Sequence, residues 1–175
     1  MRVIPNESTW IGFTTERPAD LNAPTETELA GATDLTGFVI SLTAQSQGNT
    51  VPTPSIDTLF ETSIPGTSQA SFQADMYRDS EEDTAWDLLT RDLAGYFFVS
   101  RFGGTGTDRM PVSGEKLEIW PVRITSRTAS ALASNTAQTF TCMAAVPEDP
   151  AEDAVVATAP TVSRSTPSAS VSSSS

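Results

Sequence analysis

The 175 residues suffice for one domain of ordinary size with some extended chain besides. Acidic residues outnumber basic ones 22 to 10, a formal net charge of −12, so nucleic acid could be surrounded but not gripped on a basic groove. With no histidine and a single cysteine, Cys142, the usual nucleophile–base pairs, zinc sites and internal disulfides fall away, and no catalytic, metal or cofactor site is expected.

Residues 1–35 show no sustained period and carry Pro5, Pro18 and Pro24 among many Thr and Glu. They predict an extended N-terminal arm with a short helical turn near Glu26–Ala30. The opening MRVIPNESTW lacks the apolar region of a secretion signal, and no run of about 18 apolar residues occurs, so a soluble protein made in the cytosol is expected. A body domain over 36–147 begins where Phe38, Ile40 and Leu42 alternate with Val39, Ser41 and Thr43, a strand signal. Residues 44–55, AQSQGNTVPTPS, predict a polar loop that is long for a hairpin. Ile56, Thr58, Phe60 and Thr62 predict a second strand, closed by Pro65-Gly66. The third strand has the cleanest alternation, with Ala70, Phe72, Ala74 and Met76 on one face and Ser71, Gln73, Asp75 and Tyr77 on the other.

One helix is predicted near 80–94. Ser80 is placed to cap it, and Glu81, Glu82 and Asp83 lie in its first turn, where the positive end of the helix dipole favours them. Trp86, Leu89 and Leu93 form its apolar stripe and Gly95 its stop. Strands resume at Tyr96–Phe102 and, after a Gly-rich loop, at Lys116–Thr125. Pro121 in the latter demands an edge position or a bulge. A polar connector, SRTASALASNTA, leads to a last strand over Gln138–Val146 with Phe140, Cys142, Ala144 and Val146 inward. Residues 148–175 form a Ser/Ala/Pro-rich tail that by itself cannot bury enough apolar surface to order. The fold class is mainly β: an antiparallel sandwich or barrel of about six to eight strands, flanked by one helix, with an N-terminal arm and a C-terminal tail.

Several motifs have a functional and a plainer reading. Gly103-Gly104-Thr105-Gly106 follows a strand, but phosphate-cradling loops open directly into a helix and this run leads to Asp108-Arg109-Met110-Pro111, so a hairpin loop is favoured. Asp79, Glu81, Glu82 and Asp83 lack the spacing and central glycine of a calcium loop and read as a solvated acidic surface. Tyr96, Phe97, Phe98 and Phe102 could stack a sugar, but in a strand they more often pack on two faces. A strand apolar on both faces is central in a sandwich or covered by a neighbouring subunit.

In order along residues 54–156, the chain resembles the major tail tube proteins of siphophages, particularly those of actinobacterial phages. The resemblance is carried by Leu59–Gly66 with its T-S-I-P-G turn, the alternating strand Ser68–Tyr77, the acidic helix start Asp79–Leu88, the aromatic strand Tyr96–Phe102, Glu118–Arg127 (EIWPVRITSR), and the run into Pro147–Glu152. It implies a structural virion protein without enzymatic activity. Its copies would form hexameric rings that stack into a tube with an acidic lumen, through which DNA passes without specific binding. It also implies partners: further copies of the chain, and tail terminator, distal tail and tape-measure proteins, with no membrane. On this reading Ser71, Gln73 and Asp75 are expected to face the lumen, and residues 1–35 and the loop Gln47, Gly48, Asn49, Thr50 and Val51 to make ring-to-ring contacts. The alternatives are a carbohydrate- or receptor-binding β-sandwich using Tyr96 or Trp120, and the inner tube of a contractile injection device.

Overall fold

The computed structural model describes residues 8–53 and 62–158. Eight strands form one antiparallel sheet: β1 (Trp10–Thr14), β2 (Thr33–Asp34), β3 (Val39–Thr53), β4 (Thr62–Tyr77), β5 (Ala94–Ser100), β6 (Lys116–Ala129), β7 (Thr139–Ala145) and β8 (Ala151–Val155). Two short helices accompany them, α1 (Glu26–Ala30) and α2 (Thr84–Leu88). The strand order is β2-β1-β5-β6-β7-β4-β3, with β8 also paired to β6, and β3 and β2 lie at the two ends without joining.

The sheet curls over on itself. Phe72 of β4 and Phe97 of β5 belong to strands separated by β6 and β7, yet their rings stack with centroids 4.5 Å apart. Phe13 of β1 packs on the same Phe97 at 4.8 Å, and Trp120 lies 6.4 Å from Phe72. Met76, Val122, Ile124, Phe140 and Cys142 complete this inner core. A second cluster lies on the opposite face of β5 and β6, where Trp10, Phe98, Leu117 and Ile119 are covered by Leu29 of α1 and by Ala151, Ala154 and Val156. The double-sided apolar character of β5 is therefore satisfied within one chain.

Several expectations are corrected. The predicted N-terminal arm is folded into the body from residue 8 onward: β1 pairs with β5 and β2, and Trp10, Ile11 and Phe13 are buried. The turn near Glu26–Ala30 is α1, closed by a capping box between Thr25 and Glu28. The predicted tail begins with a paired strand, because β8 continues past Pro147–Pro150 along the same flank of β6 that β7 occupies. Residues 159–175 and 1–7 lie outside the described residues, as does the predicted second strand except for Thr62, which opens β4.

The helix near 80–94 shrinks to the five residues of α2. Its N-cap position is Asp83, not Ser80; Asp83 makes no capping bond, and its Oδ2 accepts from Arg78 Nε at 2.9 Å. Gly95 is a strand residue and not a helix stop. A Cβ there would stand 2.4 Å from Phe13 Cζ, so glycine permits the close approach of β5 to β1. Pro121 lies inside the sheet and not at its edge. It occupies the interval of β6, between Ile119 and Arg123, that has no register partner on the β7 and β8 flank. The Gly-rich loop joins β5 to β6, with Gly103 at φ +65 and a Cβ there only 2.2 Å from Ser8 O.

Candidate functional site

The predicted polar loop 44–55 is strand as far as Thr53. β3 pairs with β4 from Val39↔Met76 to Thr53↔Thr62, with irregularities near Ile40 and Asn49. Gln47, Gly48, Asn49, Thr50 and Val51 thus sit in a ladder and not in a loop. β4 pairs with β7 only over Ser71–Tyr77, so beyond Ser46, which bonds to Glu152, and Ala70, which packs on the core, β3 and β4 continue as a two-stranded ribbon. Along it, exposed Val51 and Ile64 face each other across the strands. Among the described residues no third strand pairs with β3 or β4 at Pro52 or Pro65, where neither proline can donate a ladder bond.

Over residues 35–53 and 62–74 there is no charged side chain. Soluble proteins commonly protect an edge strand with lysine, proline or a covering element. β3 is fifteen residues long and ends the strand order, and its outer flank carries no charge. The opposite free flank is shorter. β6 pairs with β5 only up to Arg123, which leaves Thr125–Ala129 with β7 on one side and no strand on the other among the described residues.

The four strands between these flanks present a regular outer surface. Three cross-strand rows run from β3 through β4 and β7 to β6: Ser41–Asp75–Thr141–Thr128, Thr43–Gln73–Met143–Ser126 and Gln45–Ser71–Ala145–Arg123. The expected face of Ser71, Gln73 and Asp75 is the β4 column of this surface, turned away from buried Phe72, Ala74 and Met76. Only Asp75 and Arg123 in the rows are charged. Thr141 Oγ1 donates to Asp75 Oδ1 at 2.6 Å and Ser41 Oγ to Oδ2 at 2.7 Å. These two hydroxyls, Thr141 first, hold the Asp75 carboxyl below its ordinary range.

Asp79, Ser80, Glu81 and Glu82 are exposed beside α2, while Asp83 is half-buried. No group of carboxylates that could hold a metal occurs among the described residues. The helix is fastened by Trp86, whose ring lies between the Arg78 and Arg127 guanidinium groups at 4.1 and 4.2 Å and meets Phe140 edge-on at 5.1 Å. Sequence reasoning missed this clamp, since Arg78, Trp86 and Arg127 are brought together only by the fold.

The aromatic groups offer no sugar platform of the expected kind. Trp120, Phe97 and Phe98 are buried, and the Tyr96 hydroxyl lies against Arg17 and Glu148. Of the Tyr96, Phe97, Phe98 and Phe102 cluster, Phe102, 74% exposed, is the ring that projects. It borders a groove of about 500 Å³ between β3 and the end of β5, lined also by Ile11, Val39, Ile40, Leu42 and Val99. No helix is long and apolar enough to cross a membrane among the described residues.

The described residues thus form a mainly β protein with a long uncharged edge strand, an exposed ribbon and a polar sheet face. The sequence matches the phage tail tube protein family over residues 2–159, and the chain belongs to that family. The family is structural, so the protein is a tail component and not an enzyme. No curated protein sequence matches the chain. Among solved structures, a chain of the virion of a native gene transfer agent particle is similar, with a TM-score of 0.54 at 12% identity, covering 87% of this chain and 100% of that one. A chain from the C6-symmetric tail of an empty gene transfer agent particle gives 0.52 at 11% identity, over 85% and 97%. One from the six-fold symmetrised baseplate of the anti-feeding prophage gives 0.50 at 10% identity, over 86% and 95%. At such identities the likeness is one of fold.

Proposed function

We propose that copies of this chain join side by side into hexameric rings, and that the rings stack into a tail tube that conducts DNA. The observation that carries this reading is the fifteen-residue edge strand β3, which has no charged side chain to prevent pairing. Within a ring, the free flank of β3 pairs with the open flank of β6, Thr125–Ala129, on the next copy. Such a contact joins two different surfaces, so it repeats around a ring until it closes. Each copy then contributes four strands, and the rows containing Ser71, Gln73 and Asp75 line the channel. The ribbon carrying Gln47–Val51 reaches the adjacent ring. Tail terminator, distal tail and tape-measure proteins meet the tube at its ends and interior. A non-contractile siphophage tail suits this reading, and DNA passes without sequence-specific contact.

Electron microscopy of the purified protein in negative stain tests it, with stacked rings around a central channel as the expected result. Compact particles alone, at high concentration and in the presence of a tail initiator, would overturn it. Proline substitutions sharpen the test. Successive N–H groups of an antiparallel strand point to alternate flanks, so of Thr43→Pro and Ala44→Pro one removes a free-edge donor and the other a bond to β4. The first should stay folded and fail to form rings, whereas the second should be destabilised as a monomer. The fold likeness to the anti-feeding prophage chain keeps the inner tube of an injection device as the second reading. A sheath around tubes isolated from their source would favour it.

A further inference from the structure

The chain carries −12 in total, but its acidic surplus is not distributed over the proposed channel wall. In the three cross-strand rows the charged side chains are Asp75 and Arg123, one of each sign. The remaining positions are hydroxyls, amides, Met143 and Ala145. We propose that the channel wall is electrically near-neutral, so that a DNA duplex passes a hydroxyl- and amide-lined surface that neither repels nor retains its phosphates. The proposal rests on the ring reading above, because only in a ring does this face enclose anything.

The chemistry supports passage without adhesion. Serine, threonine and glutamine side chains on an exposed strand face hydrogen-bond water and present no fixed charge to a phosphate. Asp75 is occupied by the Thr141 and Ser41 hydroxyls, which satisfy both its oxygens locally. Arg123 stands two rows away on β6, exposed, where Ala94 of β5 still pairs with that strand. At physiological ionic strength an exposed charge is screened over about 8 Å of salt solution, so the potential directly above the rows is set chiefly by the two charges they carry. The acidic lumen that the family resemblance implies, and that the net charge suits, is therefore not carried over to this face. The exposed carboxylates beside α2 instead occupy the end of β4 beyond Tyr77.

The test places a reporter thiol on the wall, as Ser71→Cys and separately Gln73→Cys, in assembled tubes. Cys142 is buried and burial pushes its thiol up to about 11, so it gives little background. Labelling rates are measured with a cationic and an anionic methanethiosulfonate in 0.15 M salt, each divided by that reagent's rate with 2-mercaptoethanol. A near-neutral wall predicts a cation-to-anion ratio within about threefold of one. A tenfold or greater preference for the cation would overturn neutrality and restore the acidic lumen. A maleimide on a polymer too wide for the channel separates the two layers of argument. It should label unassembled subunits but not tubes. Equal labelling of tubes would place these residues outside the channel, which sinks the ring reading along with the proposal.

Discussion

Asp75 shows how a residue can be charged yet locally satisfied. The hydroxyls of Thr141 and Ser41 favour its carboxylate, so its folded pKa lies below the unfolded value. A depressed carboxyl contributes stability above the unfolded pKa and loses it as pH falls through the folded pKa. The residue is half-buried at the sheet surface and still meets solvent, so the contribution is at most about 1 kcal/mol. Asp75→Asn should therefore leave the urea midpoint at pH 7 nearly unchanged and reduce the loss of stability toward pH 3. A steeper acid limb in the variant would contradict this account. Gly95 makes the opposite point, since it matters for what it lacks. Gly95→Ala drives a methyl toward Phe13 Cζ and Thr14 O and should cost about 1–3 kcal/mol, read from denaturant unfolding. Neither role can be read from neighbours in sequence: the partners of Asp75 lie 34 and 66 residues away.

At the scale of elements, legibility followed burial pattern. The alternation of Ala70–Tyr77 and of Gln138–Val146 was readable because each strand has one buried and one exposed face, and β4 and β7 show it. β1 was not, because Trp10 and Phe13 are buried in different clusters and its apolar run shows no period. β8, with only Ala151 and Ala154 inward, offers too little apolar signal to stand out from a tail. The ribbon was read as a loop because cross-strand backbone pairing, not a core, holds Gln47–Val51 in place. The helix was overestimated because its stripe is interrupted. Trp86 is clamped between two arginines, Leu89 is buried at the end of α2, and Leu93 already belongs to the approach to β5. Trp86→Ala should lose ring packing on Phe140 and both cation contacts, costing about 2–3 kcal/mol by thermal or urea unfolding. Val51→Ser with Ile64→Ser should differ from it in kind. Both positions are exposed, so monomer stability should stay within about 0.5 kcal/mol, while tubes seen by electron microscopy should become shorter or fail to stack. Unaltered tube lengths would remove the ribbon from ring-to-ring contact.

For the whole molecule, charge and edge act in opposite directions. A net charge of −12 makes copies repel at long range, whereas β3 invites them to pair at contact. Raising salt shortens the range of repulsion and leaves backbone pairing almost unaffected. Tube yield by sedimentation should thus rise between low salt and about 0.3 M. A fall over that interval would mean that ion pairs between copies dominate assembly. The neutral wall adds that this repulsion acts mainly between outer surfaces, which leaves the channel free of it.

The bare flank of β3 also bears on timing. A single copy can hold a newcomer through only one pair of flanks, β3 on β6, with little else to retain it against mutual repulsion. A completed ring, its β3 flanks already paired, would offer all of its ribbons at once, held in register. Growth on an existing rim should consequently outpace the birth of new ones, giving a lag that vanishes when preformed ends are supplied. The subunit would then accumulate unassembled at concentrations where a seeded tube elongates freely, and the placing of the seed, not the supply of protein, would decide where a tail begins.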